Sequence, residues 1–124
     1  MWLRILIVVN VEEEVAMVRG TWQIIQWCPD LVTQEWLNIG VGFRSNDCQH
    51  FQYLDHLSKI KCVYGKEVAD HADAVIKLTK QFFEKKFYTF SPQIKLVEIG
   101  VQNGESVQDN LQRSYKRVVT FGKH

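Results

Sequence analysis

The chain has no surplus of charge, no long apolar run and no cysteine framework, and each lack removes a class of function. Fifteen Lys and Arg stand against fourteen Asp and Glu, so no global field drives counterion release from nucleic acid or adhesion to an anionic membrane. No apolar run approaches the roughly 20 residues of a membrane-spanning helix. The N-terminal WLRILIVVNV imitates an export signal, but it is ten residues long, encloses its single positive charge and runs into three glutamates. A cytoplasmic protein without a membrane partner is therefore expected. Cys28, Cys48 and Cys62 are odd in number and irregular in spacing, which suits reduced thiols better than disulfides.

Several chemical signatures are also missing. There is no G-x-S-x-G elbow, and Gly40-Val41-Gly42 is followed by neither G-K nor a helical pattern, so it is no phosphate-cradling loop. Cys48, His50, His56 and Cys62 carry metal-ligating atoms, but none forms the C-x2-C pair from which structural zinc sites are built. No cofactor and no metal site are expected. Internal repeats, low-complexity tracts and linkers are absent.

At 124 residues the chain is the size of one domain, so residues 1–124 are read as sharing a single core. With 46% hydrophobic and 23% charged residues, it lies far from the composition of disordered chains. Period-two alternation marks strands at 2–9, 21–28, 36–44 and 94–101, the middle two forming a long-looped hairpin around Pro29-Asp30. From Asp47 the apolar residues Phe51, Leu54, Leu57 and Ile60, with Tyr53 alongside, fall at helical spacing, and Gly65 is placed to end that helix. The clearest helix spans 66–86, where Val68, Ala72, Val75, Ile76, Thr79, Phe82 and Phe83 follow spacings of three and four. A last helix opens at Ser106, with Asp109 three residues on as in a capping box, and turns Val107, Leu111, Tyr115 and Val118 to one side. These elements predict an α+β domain: a small, mostly antiparallel sheet of about four strands, with about three helices packed chiefly on one face.

The hairpin GTWQIIQWCPDLVTQEWLNIGVGF concentrates three of the four tryptophans and holds Asp30, Glu35 and Asn38. Trp22 and Trp27 point oppositely along one strand, so one of them is expected at a surface or interface unless both faces of the sheet are covered. In the following strand the face of Trp36, Asn38, Gly40 and Gly42 has almost no side chain in its middle, which suits the close approach of another backbone. The same residues admit a local reading: Asp30 suits an Asx turn after Pro29, and Asn38 a bulge.

Pro29, Asp30, Glu35, Asn38, Ile39, Gly40 and Val41 give this hairpin a pattern that resembles the family catalogued as domain of unknown function 3037. The likeness extends more loosely to about residue 120, and Gln34 departs from it where members tend to carry Gly after a basic residue. The family brings no established catalytic activity. Its members are often encoded beside kinases resembling the HipA toxin, so the resemblance implies a partner or antitoxin-like subunit of a bacterial or phage-related toxin or defence system.

The expectation is thus a non-catalytic protein-binding module docking through Trp22, Trp27, Asp30, Glu35, Trp36, Asn38 and Gly40, with another protein, such as a HipA-like kinase, as partner. The alternative is a nucleic-acid-binding subunit. Lys77, Lys80, Lys85 and Lys86 on the long helix and Arg113, Lys116, Arg117 and Lys123 near the end would merge into one patch if the two helices were neighbours, with Phe87, Tyr88 and Phe90 for stacking. A third reading, a metal-dependent hydrolase centred on Asp30 and Glu35, lacks further carboxylates.

Overall fold

The computed structural model describes residues 17–119; the strand expected at 2–9 lies outside them. The described chain runs β1 (Val18–Trp27), β2 (Leu37–Ser45), β3 (Cys48–Tyr53), α1 (Ser58–Tyr64), α2 (Lys66–Glu84), β4 (Ile94–Gly104) and α3 (Val107–Val118). The four strands form one antiparallel sheet in the order β3-β2-β1-β4. This is the expected α+β class, and the hairpin β1–β2 is its centre.

The strand β3 corrects the helix expected from Asp47. Asn46 and Asp47 adopt positive φ of 51° and 64°, and they join the paired residues Ser45 and Cys48 as a two-residue hairpin loop. A loop of that kind needs left-handed backbone at both positions, which Asn and Asp tolerate better than other side-chain-bearing residues. Once the turn is made, residues 48–53 hydrogen-bond along β2, and helix starts only at Ser58.

Alternation along β1 fixes the two faces. Gln23, Gly42 and Phe51 stand in one row across three strands, and Phe51 packs its ring 5.0 Å from that of Phe83 on α2. Trp22, next to Gln23, points to the other side, where the Arg117 guanidinium of α3 lies 5.7 Å from its ring centroid. Leu37, paired with Trp27 on the Phe51 side, shares a cavity wall with Tyr64 and Val68. Two helices, α1 and α2, therefore cover one face and α3 covers the other.

Both faces being covered, Trp22 and Trp27 are both core residues, with 6% and 2% of their surfaces exposed. The expectation that one of them is a surface residue is corrected by α3, which closes the second face. Around them Ile25, Ile39, Val41 and Phe43 are fully buried, each such side chain contributing about 1.5–3 kcal/mol.

The helices end for local reasons. α2 buries Ala69, Ala72, Ile76, Thr79 and Phe83 at spacings of three and four. It stops at Glu84 rather than 86 because Lys86 turns left-handed at φ 62°, while the N–H groups of Lys86 and Phe87 close back on the carbonyls of Phe83 and Phe82, a Schellman motif. α3 begins where the Ser106 hydroxyl accepts the Asp109 N–H at 3.0 Å, as the sequence predicts. Among the described residues no helix is long and apolar enough to cross a membrane.

Candidate functional site

The loop between β1 and β2 and the corner between α1 and α2 enclose a cavity of about 170 Å³ lined by Pro29, Asp30, Thr33, Glu35, Leu37, Tyr64 and Val68. Its shape follows from local chemistry. Asp30 Oδ1 accepts the Val32 N–H at 2.9 Å, and the Thr33 hydroxyl donates to the Asp30 carbonyl at 2.9 Å. This Asx turn pins the loop after Pro29. On the opposite wall Gly65, at φ 95°, separates the two helices, so the last residue of α1 and the first turn of α2 both face the loop.

The Tyr64 hydroxyl donates to the Glu35 carboxylate across the cavity mouth. That bond holds the phenol above its ordinary pKa, since ionisation would set a phenolate against a carboxylate, and burial pushes the same way. The floor is apolar, from Pro29, Leu37 and Val68, while Asp30 and Glu35 bring two carboxylates to the rim. Beside it the loop tip presents Val32, 90% exposed, with Leu31, and α1 presents Val63 next to Tyr64.

Of the seven hairpin residues singled out from sequence, the cavity gathers two, Asp30 and Glu35. Trp36 is half-buried beneath the Lys95 ammonium, 4.0 Å from its ring centroid. Asn38 sits at the β-bulge where pairing skips Ile39 between β1 and β2. Its amide donates to the Val118 carbonyl at 2.8 Å, and its oxygen accepts from Gln26 at 3.0 Å. Gly40 is buried, and a Cβ there would lie 2.8 Å from the Gln52 carbonyl oxygen and 3.0 Å from Ile25. The surface poor in side chains is thus already filled by this chain's own strands, and Trp22, Trp27 and Gly40 leave the docking set. Tyr64, Leu37 and Val68 complete the wall unforeseen; Gly65 was legible as a helix stop, but nothing local showed that the corner would meet the loop.

The basic residues do not merge. α2 and α3 lie on opposite faces, so the patch expected from combining their cations does not form. Lys77 pairs with Asp73 at 3.0 Å, and Lys80 lies over the Tyr53 ring at 5.4 Å. Phe90 stacks on Phe82, and Tyr88 meets Phe83 edge-on, an internal use of two of the three rings expected to take bases. Lys123, near the end of the chain, lies outside the described residues. Arg113, Lys116 and Arg117 do share a separate cleft with Gln102.

Among the described residues no three His, Cys, Asp or Glu side chains come close enough to hold one metal ion. Cys28 is buried, its thiol directed to the Asp30 carbonyl, while Cys48 and Cys62 are exposed. Searches against protein-family models, curated proteins and solved structures gave no match.

Proposed function

We propose that the chain is a non-catalytic protein-binding module that docks through the cavity between the β1–β2 loop and the α1–α2 corner. The observation that carries this reading is the pairing of an apolar floor with a two-carboxylate rim, flanked by the exposed Leu31, Val32 and Val63. Interfaces concentrate their energy where a buried anchor fills a pocket inside a ring that excludes water. A cavity of this size takes one partner side chain, and Lys or Arg matches it: an apolar stem against Leu37 and Val68, a cationic head at Asp30 and Glu35. Such a site binds by filling and charge pairing, with no reacting group.

The likeness to the domain of unknown function 3037 family rests on the hairpin residues Pro29, Asp30, Glu35, Asn38, Ile39, Gly40 and Val41, and two of these lie at the rim. On that likeness a HipA-like kinase is the first partner to test, with this chain as its antitoxin-like or regulatory subunit in a bacterial or phage-related toxin or defence system. The experiment is co-purification of the full chain with such a kinase from the native host, wild type beside Val32→Lys and Glu35→Gln. Both residues are exposed, so folding should survive both changes. The expected result is a stoichiometric complex with wild type and its loss with Val32→Lys; equal retention by all three chains would remove the cavity as the docking site.

A further inference from the structure

A second cleft lies on the opposite side of the sheet. Gln102 of β4 and Arg113, Lys116 and Arg117 of α3 line a cleft of about 330 Å³ with no acidic residue in its wall. Three cations separated by three and one positions share one side of a helix, where like charges repel unless something neutralises them. Asp109 does so in part for Arg113, at 3.5 Å. Lys116 forms no ion pair among the described residues, and Arg117 is held over Trp22 rather than paired with an acid.

The cations are also positioned. The Gln102 amide donates at 3.0 Å to both the Asn110 carbonyl and the Asn110 side-chain oxygen, and its own oxygen accepts from Ser114 at 3.0 Å. Asn110 and Ser114 are fully buried, so this network fixes the floor of the cleft against β4. Arg113 donates to the Asn103 carbonyl at its end. Lys116 and Arg117 lie in the last turn of α3, where their charge offsets the negative carbonyl end of the helix, and they line one cleft with Arg113.

We infer that this cleft binds the phosphate group of a small phosphorylated ligand, either a phosphomonoester or a diphosphate. Its volume is that of a small-molecule site, and planar guanidinium groups beside a mobile ammonium match tetrahedral phosphate oxygens. A nucleic-acid strand would need a basic track longer than one cleft, and Lys77 and Lys80 lie across the sheet on α2.

The test is calorimetric titration of the full chain with inorganic pyrophosphate at constant ionic strength, repeated with Lys116→Gln and Lys77→Gln. The expected result is saturable binding that weakens about ten-fold in Lys116→Gln, the loss of one charge-assisted contact, and is unchanged in Lys77→Gln. Absence of saturable binding overturns the inference, and so does equal weakening in both variants, which marks unspecific charge attraction. Tighter binding of a short oligothymidylate than of pyrophosphate, dependent on Lys116, also overturns it, because the ligand would then be a nucleic-acid strand. Both changes lie outside the β1–β2 loop cavity, so either outcome leaves the docking test separate.

Discussion

The Asn38 side-chain amide donates a 2.8 Å hydrogen bond to the Val118 carbonyl, eighty positions away in sequence. It thereby satisfies one of the carbonyls that the end of α3 leaves without an intrahelical partner, and it ties the second helical layer to the central hairpin. A residue resembling part of a docking motif is in this fold a clasp between β2 and α3. Replacing Asn38 with Ala strands that carbonyl and the Gln26 amide, and is expected to cost about 1–3 kcal/mol. Chemical denaturation would measure it, and an unchanged midpoint would show that α3 is held by its apolar face alone.

The β2–β3 turn carries a stabilising change. Asp47 holds φ at 64° with a side chain that disfavours it, and glycine adopts that region without steric cost. Relief of left-handed strain, about 1–2 kcal/mol, outweighs the greater freedom of glycine in the unfolded chain, about 0.4–1 kcal/mol, so Asp47→Gly is expected to raise stability slightly, read as a higher melting temperature. A lowered one would mean that the Asp47 side chain makes a compensating contact.

Two glycines separate crowding from openness. A Cβ at Gly20 would sit 2.3 Å from the Arg44 carbonyl oxygen, a backbone atom that can move only with β2, whereas at Gly100 no atom lies within 4 Å. Gly20→Ala is expected to cost about 1–3 kcal/mol, and Gly100→Ala to be neutral or slightly stabilising. Similar effects at both positions in thermal unfolding would contradict the register of β1 between its neighbours.

Alkaline pH should weaken the fold through its tyrosines. Burial, then the hydrogen bond from its hydroxyl to Asp55, pushes the Tyr115 phenol up to about 12 from its ordinary 10. Burial, with Glu84 nearby, raises Tyr53 as well. The folded state holds these protons more tightly than the unfolded chain, so their contribution is complete below about pH 10 and is lost as pH climbs toward 12. Tyr115→Phe removes one titrating group and should flatten the fall of unfolding free energy between those values; an identical slope would show that Tyr115 titrates alike in both states.

The helices α2 and α3 were legible because their signals are local. Spacings of three and four set the buried stripe of α2, and Ser106 with Asp109 announces the start of α3. At β3 the same reasoning misleads, since Phe51, Leu54 and Leu57 repeat every third residue as a helix would. The deciding signal was the Asn46-Asp47 pair, which becomes a turn only when β2 is there to receive the returning strand. Of the candidate site, Asp30 and Glu35 were visible as polar residues in a loop, while Tyr64 and Val68 were not, because the contact joins segments some thirty residues apart.

The sequence by itself determined the class of the domain, the alternation that sends Trp22 and Trp27 to opposite faces, and the local turn at Asp30. Those follow from the backbone periods of strand and helix and from side-chain hydrogen bonds within a few residues. Only the tertiary structure decided that α3 returns across the face opposite α2, burying both tryptophans and parting the two basic helices. It also set the α1–α2 corner against the hairpin loop. Such placements depend on which surfaces of distant segments bury one another, a property of the folded chain as a whole.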